Sequence, residues 1–441
     1  MAASPRSRPI SAWRWKRRCS AFAPVRADAC SRNGVGPAPT EAAADVAWRA
    51  LLLRIEDTRR DEPASLDSLL ASDDPHVRAH AAMTAGRIGA RAHRSSLHRL
   101  AADPDTGVAA SALFALGLLG DSTAAPLGAS ALRMPAPVGV EGAWLLGELG
   151  PAGRTALVAA LRDSTLGSSV RGAVLLAAAR LRPLPAGAVI PWVSSPDSAI
   201  SWRAAYALAR GRSAAGVRTL LAVGTSDLAA VREQVARGLA KSVAGDSLGE
   251  AARGALERLV DDPTPRVRVN AVRSLASYGS SAKGQVAAAL RDADAGVRLT
   301  AAQSLDFVLD SLPGPWLDAF LAADSAFVVQ NAIVDGAARH GITIPGAADW
   351  RTSVDWQRRA AVADLDRRGA PASALARLVG WHSDADGRVR AAAVGAIARL
   401  ADSATVRSAA RTALRGALRD PDVMVRASAL GGLAHGATVD D

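Results

Sequence analysis

The sequence predicts an all-α protein, a right-handed α-α superhelix built from about twelve stacked helical hairpins. Three observations predict this fold. An aliphatic position recurs about every 30 residues, an Asp or Thr often stands three residues before that position, and small apolar residues follow that position. A hairpin of this size cannot bury its own apolar face, so neighbouring hairpins must cover it. The recurring position is assigned to Val77, Val108, Val138, Val170, Ile200, Val231, Val267, Val297, Val328, Trp356, Val389 and Val425.

Residues 262–279 show one copy of the unit. Thr264 stands where a side chain can cap the first turn of a helix, and Pro265 follows at the first helical position, where a missing N–H is harmless. Counted from Val267, apolar residues fall at offsets 0, 4, 5, 8 and 11, which forms one buried stripe, and Gly279 closes the helix. A shorter amphipathic segment between these helices predicts the first helix of each hairpin, at 95–102, 154–162, 217–223, 248–260, 286–291, 316–323, 372–379 and 406–419.

Three copies fit this pattern poorly. The third copy has no Asp before Val138, the ninth has Val329 where an Arg is expected, and the tenth has Trp356 and Gln357 in place of Val and Arg.

The repeated run Asp-Pro-Asp-x-x-Val-Arg resembles the HEAT-repeat family in its short bacterial form, related to the phycobilisome-lyase-type repeats. It is clearest at 103–108 and 420–426, and the resemblance covers about residues 60–441. It implies that the second helix of each hairpin lines the concave side of the superhelix. It also implies that the Arg after the valine is structural and pairs with acids in adjacent loops. This applies to Arg78, Arg171, Arg232, Arg268, Arg298, Arg390 and Arg426.

The ends of the chain differ from the repeats. Residues 1–40 carry eight cations against Asp28, which is +7 of the formal +11, and are expected to be a disordered basic tail, with a degenerate signal or a misassigned start as alternatives. Residues 41–60 are expected to form a capping helix with Ala47, Leu51, Leu52 and Ile55 on its apolar face, and residues 61–441 the solenoid. The predicted location is the cytoplasm, with export or a lipoprotein as the alternative if the N-terminus is misassigned.

No motif in the sequence indicates catalysis. Nucleophile, phosphate-binding and zinc-protease motifs are absent, and no His is followed by Glu as in the metal-binding HEAT enzymes. The closest histidine pairs, His76/His80 and His93/His98, are interpreted as surface residues. The chain is therefore predicted to be no enzyme, to bind no metal or cofactor, and to have no apolar run of the roughly 18 residues that span a bilayer.

The groove predicted by the resemblance is the candidate binding surface. Offsets 3, 6 and 10 from the valine should point into it, with aromatic residues in the N-terminal half and basic residues in the middle. For Trp144 and Tyr206 the alternative is a position between neighbouring second helices, because offset 6 lies at the edge of the buried stripe. The predicted partner-binding residues are Phe114, Trp144, Tyr206, Arg203, Arg210, Arg237, Lys241 and Arg273.

Three functions remain open at this stage. The favoured one is a scaffold that binds a protein or peptide, in which case Trp144→Ala should abolish binding without loss of the fold. The second is nucleic-acid binding through the basic strip between Arg203 and Arg273, although most of the basic excess lies in the tail. The third is the HEAT portion of a peptidyl-prolyl isomerase-type multidomain protein whose C-terminal domain is missing, or a phycobilisome-lyase-like protein that handles a chromophore.

Overall fold

The computed structural model describes residues 43–308, 314–340, 342 and 344–435. The predicted disordered tail of residues 1–40 lies outside them. The chain divides into two compact units, residues 1–51 and residues 52–441, and the second holds all the hairpins. The described residues form helices and no strand, so the predicted all-α solenoid is confirmed.

The second unit contains twelve hairpins, the number that the sequence predicts. The helix that precedes them is α1, Ala43–Thr58. The first helices are α2 Pro63–Leu70, α4 Arg94–Leu100, α6 Ala125–Ala131, α8 Arg154–Arg162, α10 Ala186–Val189, α12 Ala214–Ala222, α14 Lys241–Leu259, α16 Lys283–Ala289, α18 Gly314–Ala323, the 3-10 helix Pro345–Thr352 in hairpin ten, α21 Pro371–Gly380 and α23 Arg407–Ala417. The second helices are α3 Pro75–Ile88, α5 Thr106–Leu119, α7 Val138–Glu148, α9 Ser168–Ala178, α11 Ser198–Gly211, α13 Ala229–Gly238, α15 Pro265–Ala276, α17 Ala295–Val308, α19 Phe327–Arg339, α20 Trp356–Leu365, α22 Gly387–Leu400 and α24 Val423–Ala434.

Side-chain caps start many of the second helices, as the sequence predicts. Asp105 accepts hydrogen bonds from the backbone N–H groups of Gly107 and Val108, both at 2.9 Å, and Asp422 accepts one from Met424 at 2.7 Å. Thr264 is an exception, because its side chain caps nothing at the start of α15. Gly120 ends α5 with a φ of 63°, a conformation that favours glycine.

Successive second helices pack closely through small residues. A Cβ added to Gly86 in α3 would lie 2.6 Å from the Cα of Ala115 in α5, so only glycine permits this approach. Val77, Val267 and Val297 are at most 6% exposed, and each occupies the predicted recurring position. The core therefore runs along the stack of second helices, as expected for a solenoid.

The register predicted for hairpins nine and ten is wrong. In hairpin nine the buried valine is Val329, 1% exposed, whereas Val328 is 56% exposed. In hairpin ten Asp355 caps the helix by accepting from the Gln357 N–H, which places Arg358 and not Trp356 at the recurring position. Arg358 lies half-buried over the Trp350 ring, 5.7 Å from its centroid, so an aromatic–cation contact replaces the aliphatic core contact.

The predicted capping helix corresponds to α1. Leu52 and Ile55 are buried as predicted, but Ala47 is exposed. Its role as an end cap remains a prediction.

His93 is the one buried histidine of the described residues, and it contacts two carboxylates near the first hairpin. His93 is 2% exposed, and its Nδ1 and Nε2 lie 2.7 Å and 2.9 Å from carboxylate oxygens of Asp67 and Asp61. Burial alone would lower the pKa of His93, but the hydrogen bonds with the two carboxylates outweigh it and hold the pKa above its ordinary value. His93 is thus no solvated surface residue, contrary to the sequence interpretation.

The raised pKa of His93 predicts that the stability of the folded protein depends on pH. Because the folded-state pKa of His93 is raised, its stabilisation is fully present below the unfolded pKa of 6.5 and is lost as pH rises through the folded value. We expect His93→Gln to lower the melting temperature by more near pH 5.5 than near pH 9. Equal losses at both pH values would show that the histidine acts by packing alone.

Candidate interaction face on the second helices

A ladder of Arg–Asp pairs links consecutive hairpins. The guanidinium of Arg268, for example, donates from Nε and Nη2 to Asp292 at 2.7 Å, and from Nη1 to the Asp262 carbonyl of its own loop at 2.9 Å. Burial alone would raise the pKa of Asp292, but the hydrogen bonds from Arg268 and from the Asp294 N–H, together with the charges of Arg268 and Arg298, outweigh it and the pKa lies below its ordinary value. The pairs are Arg78–Asp103, Arg232–Asp262, Arg268–Asp292, Arg298–Asp324, Arg359–Asp384 and Arg390–Asp420.

The predicted pairing of this Arg with acids in adjacent loops is therefore confirmed for five of the seven arginines, and it extends to Arg359. Two members differ. Arg171 stacks over Trp192 at 4.4 Å and donates to the Ser164 and Leu166 carbonyls. Arg426, in the last hairpin, donates to loop carbonyls and forms no ion pair with a described residue.

The candidate interaction face, called the second-helix face below, consists of the side chains at offsets 3, 6 and 10 on the second helices. Its first section is aromatic. Trp144 is 7% exposed, and its ring lies 4.6 Å from the Phe114 ring and against Gly117, where a Cβ would overlap it. Trp144 thus lies between α5 and α7, the alternative that the sequence left open, while Phe114 is half-buried.

Hairpin five combines aromatic and cationic side chains. Tyr206 is half-buried, with Trp202 6.3 Å away and Arg210 over its ring at 5.8 Å. Arg203 lies over Trp202 at 4.7 Å and donates to the Ala199 carbonyl at 2.5 Å. Arg203 is half-buried, and this burial lowers its pKa.

A cationic section follows, defined by Arg210, Arg237, Lys241, Arg266 and Arg273, all exposed. Its one carboxylate is Glu233, which lies 3.3 Å from Arg237 and 3.6 Å from Arg266. Arg210, Lys241 and Arg273 form no ion pair with any described residue. The cationic section therefore keeps an excess of positive charge on α11, α13, α15 and the start of α14.

Hairpins eight to eleven differ, because their arginines are matched by acids. Arg339 lies 2.5 Å from Asp306, Arg368 pairs with Asp335, and Arg399 pairs with Asp364. In the same way Arg180 pairs with Glu148 in the aromatic section. On the second-helix face of the described residues, the exposed cations without an ion pair thus lie in hairpins five to seven.

Sequence reasoning missed two residues that border this face. Trp202 falls at offset 2 and Arg266 just before the recurring valine, so neither belongs to the chosen offsets. Asn270 lies at offset 3, but its contacts with two arginines depend on how neighbouring helices pack. Trp202 stands four residues before Tyr206, and this spacing places the two side chains on the same face of a helix. That spacing was the one sequence signal for including Trp202.

The described residues contain no group of three His, Cys, Asp or Glu side chains that could hold a metal ion. None of their helices has the length and apolar character needed to cross a membrane.

Comparison with known proteins agrees with the hairpin architecture. Residues 62–138 and 252–338 match the family model for HEAT repeats. Among curated proteins, none matches this sequence. An engineered protein is 21% identical, with a TM-score of 0.35 over 85% of this chain and 98% of its own.

Two natural proteins of known structure are similar at lower identity. The E. coli protein YibA is 15% identical, with a TM-score of 0.40 over 56% of this chain and 92% of its own. Kap121p is 12% identical, with a TM-score of 0.47 over 90% of this chain and 56% of its own. The two family matches show that the chain contains HEAT repeats at residues 62–138 and 252–338, within the stack of hairpins that the described residues form.

Proposed function

We propose that the chain is a non-enzymatic scaffold that binds a protein or peptide along the second-helix face, on the concave side of the superhelix. One observation carries the proposal: exposed cations without carboxylate partners among the described residues lie in hairpins five to seven, and one of them, Arg210, lies over the half-buried Tyr206 ring. Arginine and aromatic side chains supply most of the binding energy in protein interfaces. The predicted cytoplasmic location belongs to this proposal.

Residue roles within the proposal follow from burial. Arg210, Arg237, Lys241 and Arg273 would contact the partner directly because they are exposed, and Tyr206 would contribute one face of its ring. Trp144 and Arg203 would support this surface from beneath.

The test is capture of partners by the immobilised full chain, with nuclease present, followed by mass spectrometry. We expect a protein captured by the wild type to be lost from Arg210→Glu/Arg273→Glu. It should be retained by Arg218→Glu, which makes the same charge reversal at an exposed position of the first helix α12. A partner that both variants retain would contradict the proposal.

Nucleic acid is the second candidate, favoured by the same cationic section. Affinity for nucleic acid falls steeply with salt, because binding releases counterions from the phosphates. Recovery that disappears with nuclease, together with such a salt dependence, would favour this candidate over the scaffold.

A further inference from the structure

We propose that Asn270 makes the cationic section a recognition site for the carboxylates of an acidic, extended protein segment. This inference rests on the proposed scaffold function and names the class of its partner. The residues that carry it are Asn270, Arg237 and Arg273, with Arg210 beside them.

Two guanidinium groups from neighbouring helices converge on one neutral acceptor. Arg237 donates from Nε to the Asn270 side-chain oxygen at 3.1 Å, and Arg273 donates from Nη1 to the same oxygen at 3.5 Å. The Asn270 side chain is 5% exposed, and its NH₂ group donates to the Arg266 carbonyl at 2.8 Å. This bond fixes the amide so that its oxygen faces the two arginines.

Elsewhere on the second-helix face, arginines are paired with a carboxylate of a neighbouring helix. Arg339, Arg368 and Arg399 are each neutralised by an Asp on the preceding second helix. Asn270 accepts from two guanidinium groups as such an Asp would, but it adds no negative charge. Among the described residues, Arg237 has one carboxylate nearby, Glu233 at 3.3 Å, and Arg273 forms no ion pair. Each guanidinium has five N–H donors, and several of those on Arg237 and Arg273 remain for a ligand.

The partner that fits is an acidic segment in an extended conformation. Arg210, Arg237 and Arg273 lie on the successive second helices α11, α13 and α15, which pack at about 8–10 Å in helical proteins. Alternate residues of an extended chain lie roughly 7 Å apart on one side, so successive acidic side chains can reach successive arginines. Guanidinium–carboxylate pairs of this kind are strong because they are charge-assisted and bidentate.

A nucleic acid fits the same surface less well. Non-specific binding of nucleic acid tracks many phosphates along a continuous basic groove. Here the basic stretch ends after hairpin seven, where Asp306, Asp335 and Asp364 follow on the next second helices. The short length of the cationic section therefore favours a protein segment.

The experiment measures binding of a fluorescently labelled octaglutamate peptide to the full chain by anisotropy. We expect the wild type to bind it and Asn270→Asp to bind at least about tenfold more weakly, although both arginines remain, because the new carboxylate neutralises them. Arg237→Gln/Arg273→Gln, which alters exposed side chains only, should weaken binding as much. Arg399→Gln is the matched control and should leave the affinity unchanged, since Asp364 already neutralises that arginine.

Several outcomes would overturn the inference. These are a wild type that does not bind the peptide, a folded Asn270→Asp variant that binds as tightly as wild type, or equal weakening by Arg399→Gln. Tighter binding of single-stranded DNA of equal charge, lost in the same variants, would assign the site to nucleic acid instead. If the peptide fails to bind but Arg210→Glu/Arg273→Glu still loses a captured protein, the scaffold function stands and only its acidic partner is wrong.

Discussion

Arg268→Ala is expected to lower the free energy of unfolding by about 3 kcal/mol, because it removes one member of a largely buried ion pair. The side chains of Arg268 and Asp292 are 15% and 12% exposed, so Asp292 would lose its partner in a poorly solvated place. The pair also joins hairpins seven and eight, and a solenoid depends on such contacts between neighbours. Urea denaturation followed by circular dichroism would measure the loss.

Arg426→Ala is the matched control for this prediction. Arg426 donates to the carbonyls of its loop at 2.9 Å and 2.8 Å, as Arg268 does at 2.9 Å and 3.3 Å, but it has no carboxylate partner among the described residues. We expect a loss of about 1 kcal/mol, the size of ordinary hydrogen bonds. Equal losses in the two variants would mean that the arginines stabilise their own loops and not the contact between hairpins.

Trp144→Ala is expected to cost about 3 kcal/mol or more in folding stability, as large-to-small changes at buried aromatic positions do. The scaffold hypothesis drawn from the sequence expected the opposite, a loss of binding with the fold intact. The structure changes this expectation because the ring is buried between α5 and α7. Thermal denaturation would measure the change.

A double-mutant cycle with Gly117 provides the control for Trp144. Gly117→Ala alone should destabilise the protein, because its Cβ would overlap the Trp144 ring. In a Trp144→Leu background the same change should be much less harmful, so the two effects should not add. A Trp144→Ala variant that melts as the wild type does and loses a partner would show instead that the ring is a binding residue.

Sequence periodicity predicts most of this fold because the repeat makes the same physical demand twelve times. Eleven of the twelve second helices have a buried aliphatic residue near their start, and most of the twelve have a capping side chain before it. The Arg–Asp ladder adds a second signal, since Arg359 is followed by Asp384 in the next loop as Arg390 is by Asp420. That signal would have placed hairpin ten correctly.

The prediction of the buried aliphatic residue was wrong where two adjacent residues fitted the pattern equally well. Val328 and Val329 are adjacent, and only the packing of α19 decides which one is buried. Likewise offset 6 lies at the edge of the buried stripe, so the neighbouring helix decides whether Trp144 is covered. The contacts of Asn270 were beyond prediction because they join side chains 33 residues apart through the stacking of α13 on α15.

The central claim is that a protein partner binds across the second helices of hairpins five to seven. Hydrogen–deuterium exchange of the full chain, with and without a partner captured as described above, tests it most directly. The account predicts that protection from exchange falls on Ser198–Gly211, Ala229–Gly238 and Pro265–Ala276. Protection confined to the first helices, such as Ala214–Ala222, would contradict it.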